Sequence, residues 1–364
     1  MRVLHGPVNI ANQPWVLSRA EREIGLRSKL VVNYGTAFGY PADVVLSGHA
    51  DRGMKARARR WLNTLTAPFR SRVQHYYFGR TFGCWDDYGE PNRTWFLDLR
   101  LAKYLGCRTF MTLQGCDARL SDLSAKRNPI TPCSIGRCRA AEYCRSYMDR
   151  QRRYLIEEVL PQIDRVFYLN PELGHYVPQG TFLPYACVDI HSLEPVTPHV
   201  DGPMRILHAP SDESTKGSDY VYKAIETLKQ RYQIEFLVVK GVSHEAAMKM
   251  YRDADLVLDQ LLYGWYGGFA VEVMALGKPV GVYIRDEDMK FVPVKMLEEL
   301  PVFRMHPETL THDLENAIRV RAQWPALGRK ARKFVEDWHD PVRIAKAIAR
   351  IYRDPSAPFD LEAA

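Results

Sequence analysis

Short apolar runs alternate with longer amphipathic ones along most of the chain. Residues 2–5, 30–34, 73–78, 108–113, 165–169 and 181–185 read as strands, rich in Val, Ile, Leu, Phe and Tyr. Residues 14–24, 98–106 and 145–160 carry the period of helices. Pro195, Pro198 and Pro203 then fall close together with no apolar periodicity, which marks a linker. Beyond it, 204–208, 234–239, 256–258 and 280–284 read as strands, and 218–231, 269–276 and 342–352 as helices. Alternating strand and helix predicts an α/β chain of two doubly wound, Rossmann-like domains. Their expected bounds are 1–188, with an insertion at about 116–145, then a linker at 189–203, a second domain at 204–340 and a terminal helix in 341–364.

Residues 253–283 concentrate the chemistry. A strand leads into the loop Tyr263-Gly264-Trp265-Tyr266-Gly267-Gly268, which opens into a helix that Gly277 caps and Pro279 stops. Bare glycines let a ligand approach the backbone, and a helix start offers N–H groups and a positive dipole end to phosphate. Glu272 lies about one turn in, where a carboxylate accepts hydrogen bonds from sugar hydroxyls.

The run Glu272-Val273-Met274-Ala275-Leu276-Gly277-Lys278-Pro279-Val280 resembles the second half of the donor signature of retaining GT-B glycosyltransferases of the group 1, glycogen-synthase and mannosyltransferase-like type. The earlier Glu of that signature falls at Gly264. Lys216-Gly217 resembles the Lys-Gly of the donor loop, with Ser211 at the position of its Arg. Thr112-Leu113-Gln114-Gly115-Cys116-Asp117 resembles a Thr-x-His-Gly-x-Asp run, with Gln114 in place of His. The resemblance implies two domains facing across a cleft, and a terminal helix crossing back to the first. It implies transfer of a sugar from a nucleotide-diphosphate sugar to an acceptor hydroxyl, retaining and metal-independent, in cell-surface glycan, glycolipid or natural-product glycoside synthesis. No cofactor is expected beyond the donor substrate.

Residue by residue, Gln114, Asp117, Lys216 and Glu272 become the expected catalytic group. Donor contacts are expected from Ser211, Lys216, Gly217, Val242, Asp259, Trp265, Tyr266, Gly267, Gly268, Phe269 and Glu272. Gly6, Asn9, Asn12, Arg80 and Arg119 form the expected acceptor side. Asp259 and Asp117 are as readily caps of their own loops. A catalytically silent sugar-nucleotide-binding subunit remains open, because Gly264 and Gln114 both depart from the pattern. So does a nucleotide-sugar 2-epimerase on the same fold. A dinucleotide oxidoreductase is excluded, since no G-x-G-x-x-G follows the first strand.

Composition narrows the partners. The 364 residues are 46% hydrophobic and 26% charged, with a net charge of +7, which suits anionic ligands without demanding nucleic acid. No run is long and apolar enough to span a bilayer, and no secretory leader is apparent, so the expectation is a cytoplasmic protein. Residues 52–72 carry seven Lys and Arg, among them Arg52, with Trp61, Leu62, Leu65 and Phe69 at helical spacing. That pattern reads either as contact with the inner membrane face or as a helix whose aromatic stripe packs on its own core. Of the seven cysteines, Cys116, Cys133, Cys138 and Cys144 cluster in sequence, a loose spacing for structural zinc.

Overall fold

The computed structural model describes residues 1–36, 39–48, 51, 53–84 and 95–362, and of His244 only the backbone. Two compact units share the chain. Met1–Leu120, Tyr147–Val188 and Asp340–Ala364 make the first; Ser121–Ser146 and Asp189–His339 make the second.

The first unit is built on seven parallel strands: β1 (Arg2–Gly6), β2 (Arg27–Val32), β3 (Val44–Val45), β4 (Val73–Tyr77), β5 (Arg108–Leu113), β6 (Arg165–Tyr168) and β7 (Thr181–Phe182). Their order is β3-β2-β1-β4-β5-β6-β7. Every residue of β4 is buried, as expected of a parallel sheet covered on both faces. Helices α1 (Gln13–Glu23), α2 (Met54–Arg70) and α3 (Leu97–Tyr104) join the early strands. The last helix, Pro341–Arg353, packs on α1 and buries Ile344, Ile348, Ile351 and Tyr352. Tyr352 donates to Glu21 Oε1 at 2.9 Å and meets His75 Nδ1 at 2.6 Å; Glu21 Oε2 lies 2.8 Å from His5 Nε2. All four side chains are fully buried, so burial holds His75 well below its usual titration range.

Five parallel strands build the second unit: β8 (Met204–His208), β9 (Ile234–Val238), β10 (Leu256–Leu258), β11 (Val280–Val282) and β12 (Val302–Arg304), in the order β12-β11-β10-β8-β9. Ile206, Leu256, Leu258, Val221, Leu314 and Trp324 anchor its core. Among the described residues no helix is long and apolar enough to cross a membrane.

Two features differ from the sequence reading, and a third, in helix α2, sets aside one of its two alternatives. Residues 121–146, expected as an insertion of the first domain, cluster with the second unit. Polar contacts hold them there: Arg285 Nη2 donates to the Ile130 carbonyl at 2.7 Å, and Arg137 reaches Asp219 Oδ2 at 2.7 Å and the Tyr220 hydroxyl at 2.6 Å. Strand β3 is two exposed residues and has no sequence pattern of its own. Helix α2 turns its large apolar residues outward. Trp61, Leu62, Leu65 and Phe69 are exposed, while Ala56, Arg60, Asn63, Thr64 and Ala67 face the core. Arg52 lies outside the described residues.

Candidate functional site

The carboxyl ends of β8 and β10 bring the candidate residues of the second unit together, where ligands sit in sheets of this kind. After β8, the Asp212 side chain accepts from Thr215 N at 2.9 Å and starts the short helix Glu213–Lys216. Gly217 ends that helix at φ +78, with its Cβ position 3.1 Å from Leu261 Cβ. The missing side chain lets the two loops close, and Leu261 N donates to the Lys216 carbonyl at 2.9 Å. Lys216 is thereby aimed at the residue after Asp259. Its ammonium donates to Gln260 Oε1 and lies 5.3 Å from the centre of the Tyr263 ring. Gln260 Nε2 in turn donates to the Trp265 carbonyl at 2.6 Å.

Helix Gly268–Ala275 begins beside this network. Gly267 N donates to Asp259 Oδ2 at 2.8 Å, and the Gly267 Cβ position is 3.6 Å from Gln260 Oε1. Asp259, expected among the donor contacts, is 3% exposed and caps this helix. The Gly267 amide is therefore taken out of the expected anion cradle. Burial pushes the Lys216 ammonium below the usual lysine range, while the Asp259 carboxylate pulls it back up. Its hydrogen-bond partner is neutral, so the charge is held but not cancelled, and an ammonium has three donors to offer.

Gly264, where the signature places its earlier Glu, has a structural account. Its φ is +76, and a Cβ there would stand 2.8 Å from both Arg285 Cβ and Nη1. The Arg285 guanidinium fills the space. It is 5% exposed and pairs with Asp288 Oδ2 at 2.9 Å. It also donates to the carbonyls of Leu262 and Tyr263 at 3.3 and 3.5 Å. Of the charged loop expected after residue 284, Arg285 and Asp288 are buried and clamp the glycine loop, while Asp286 and Glu287 are exposed. Sequence reasoning missed Arg285 and Asp212, and read Gln260 only as the residue that, with Asp259, ends its strand at the ligand side. Only Asp212, three residues before a backbone amide it caps, carries a local signal.

The other expected donor residues divide. Gly267, Gly268, Phe269 and Glu272 are half-buried at one end of the helix. Trp265 and Tyr266 bury their side chains, and the Tyr266 hydroxyl meets His339 Nε2 at 2.9 Å, so these two offer backbone only. Ser211 and Val242 are exposed on the loops after β8 and β9.

In the first unit, Asp117 accepts from Gln114 N at 2.9 Å and Gly115 N at 2.6 Å. It is a buried turn cap, the second of the two roles the sequence left open for it. Gln114 Nε2 reaches the Ile10 carbonyl at 3.4 Å. Arg119, expected to meet an acceptor, is 1% exposed and donates through Nε to Glu172 Oε2 at 2.7 Å, so its charge is used inside the fold. Asn9 is buried with Nδ2 on the Pro41 carbonyl at 2.9 Å, and the Gly6 Cβ position lies 2.3 Å from the Val31 carbonyl oxygen. Asn12 starts α1 in the left-handed region, and Arg80 is half-buried. Among the described residues no three His, Cys, Asp or Glu side chains are placed to hold a metal. Cys116, Cys133, Cys138 and Cys144 are in no disulfide, and among the described residues they are not grouped to hold a metal.

No family model matches the sequence, and no curated protein matches it. Solved structures do. A sucrose-phosphate synthase from Thermosynechococcus elongatus superposes with a TM-score of 0.64 at 14% identity, over 97% of this chain and 98% of that one. Anabaena HepE in complex with UDP and glucose gives 0.57 at 13%, over 97% and 99%. A protein described as a UDP-N-acetylglucosamine 2-epimerase from Listeria monocytogenes gives 0.54 at 12%, over 99% and 98%. Two parallel α/β units, matched by these neighbours over nearly the full chain, give this protein the GT-B fold.

Proposed function

We propose that the chain transfers a sugar from a nucleotide-diphosphate sugar to an acceptor hydroxyl, with retention and without a metal. The observation that carries this reading is the Lys216 ammonium, held by neutral Gln260 beside the start of helix Gly268–Ala275. A diphosphate fits that charge pattern, taking donors from Lys216 and from the first amides of the helix. Glu272, one turn on and half-buried, is assigned the donor ribose. As the glycosidic bond breaks, negative charge grows on the leaving nucleoside diphosphate. A fixed cation and helix dipole stabilise it without reorganising. Lys216 serves only while protonated, so donor affinity falls as pH rises toward its lowered pKa, earlier than for a solvated lysine. HepE, solved with UDP and glucose, supports this class of ligand.

Thermal shift against UDP-, GDP- and ADP-sugars tests the reading, since a ligand that binds only the folded state raises its melting temperature. One base is expected to stabilise well above the others, and release of that nucleoside diphosphate is expected to require an acceptor. Stabilisation without turnover, over a panel of acceptors, would instead identify a silent binding subunit. Inversion at the second carbon of a bound UDP-sugar would identify an epimerase.

A further inference from the structure

Helix α2 turns a mixed face of small and polar residues to the core and its large apolar residues to solvent. Met54, Trp61, Leu62, Leu65 and Phe69 recur at helical spacing, and Met54, Leu62 and Phe69 are 88%, 64% and 68% exposed. At about 1.5 Å per residue this stripe runs ~25 Å along the helix. Lys55, Arg57 and Arg59 flank it, and no Asp or Glu occurs from Gly53 to Arg72. Monomeric proteins rarely expose so continuous a large-residue stripe without a use for it.

A cavity of about 750 Å³ opens at the C-terminal end of α2. Phe69 and Pro68 line it together with Arg2, Arg27, Arg70 and Arg72. The four arginines stand at or beside the amino-terminal ends of β1, β2 and β4, and backbone bonds link these starts. Arg27 N donates to the Met1 carbonyl at 3.0 Å, and Arg72 N to the Arg2 carbonyl at 3.2 Å. Among the described residues none of the four guanidinium groups pairs with a carboxylate. The cavity lies at the opposite end of the strands from the turns at Gly6 and Gln114.

We propose that α2 and this cavity form a docking surface for an anionic lipid bilayer, with the stripe entering the acyl boundary and the arginines receiving a phosphate-bearing headgroup. An interfacial helix needs this combination: large apolar residues on one face and cations beside them. A second copy of the chain would oppose like charges at both ends of the stripe, Lys55, Arg57 and Arg59 at one and Arg70 and Arg72 at the other. The inference is independent of the sugar-nucleotide reading. Its residues belong to the first unit and the donor residues to the second, so either can fail alone.

Co-sedimentation of the full chain with vesicles tests it. Phosphatidylcholine vesicles containing about one third phosphatidylglycerol are expected to bind at least ~10-fold more protein than pure phosphatidylcholine. About 1 M salt, which shortens screening to ~3 Å, is expected to remove most of that preference. The double variant Leu62→Gln/Phe69→Gln is expected to lose binding ~10-fold with unchanged thermal unfolding, because both side chains are already in solvent. Arg27→Gln/Arg72→Gln is expected to keep weak binding and lose the anionic preference. Equal binding to both vesicle types, or none, overturns the proposal. So does a dimer in light scattering that Leu62→Gln/Phe69→Gln abolishes. Inorganic phosphate stabilising the protein as strongly as phosphatidylglycerol vesicles do would assign the cavity to a free anion and overturn the lipid assignment.

Discussion

The β5 turn of the first unit and the β10 turn of the second use the same parts to opposite ends. Each follows a parallel strand, and each has an aspartate capping backbone amides, Asp117 on Gln114 and Gly115, Asp259 on Gly267. Each has a nearby cation. Arg119 is paired with Glu172 inside the fold, whereas Lys216 is held by Gln260, which carries no charge. The partner decides the role. A carboxylate consumes the cation for structure, and an amide orients it while leaving its charge for an anion. Lys278 is a third case. It is fully buried with no hydrogen-bond partner at Nζ among the described residues, and burial drives its pKa down to about 8 despite the nearby carboxylates of Asp255 and Asp253.

The largest effect is expected at the consumed cation. Arg119→Met strands a buried Glu172, and unfolding by denaturant should show a loss of about 3–5 kcal/mol. Adding Glu172→Gln should recover much of it, and donor affinity of the folded protein should not move. If Arg119→Met were neutral for stability but weakened donor binding, the contrast would fail.

Next comes Lys278→Met, expected to stabilise by about 3 kcal/mol at neutral pH, from the gap between about 8 and the usual lysine value. The sign follows from the depressed pKa. Below pH 8 the lysine is charged in both states and the penalty of burial is complete. As pH rises from 8 to the unfolded value the penalty disappears, and the gain from methionine should disappear with it. A gain independent of pH would mean that packing, not charge, is responsible.

Gly264→Ala is expected to cost about 1–3 kcal/mol, because it needs a left-handed backbone and displaces Arg285. The measurement is the denaturation midpoint. Smallest is Gln260→Met, which leaves Lys216 charged but unaimed. A donor affinity lower by about tenfold, read by calorimetry, is expected for a lost hydrogen bond to a charged group. An unchanged affinity would remove Gln260 from the account.

The strands Arg108–Leu113, Met204–His208 and Leu256–Leu258 are legible in the sequence to the residue, because each is a short apolar run bounded by turns. Ser243 opens helix His244–Asp253 by accepting from Ala246 N, a local signal of the same kind. What local reading lost are pairings across distance. Gly264 looks like a missing carboxylate until Arg285, twenty-one positions on, is seen in its space. Arg119 looks like an acceptor arm until Glu172 is seen beside it. Helix α2 shows its period plainly, but not which way it faces. Large apolar residues argue for the core, and here the small face Ala56-Arg60-Asn63-Thr64-Ala67 packs instead, with Arg60 bonded to Ser47 Oγ at 2.9 Å.

The direct test of the central claim is calorimetric binding of the preferred nucleoside diphosphate to wild type and to Lys216→Met, with thermal unfolding run in parallel. An affinity lower by about 100-fold at unchanged melting temperature is expected for removal of a half-buried charge that faces phosphate. Equal affinity in the two proteins would contradict the assignment of the diphosphate to Lys216 and the helix beside it.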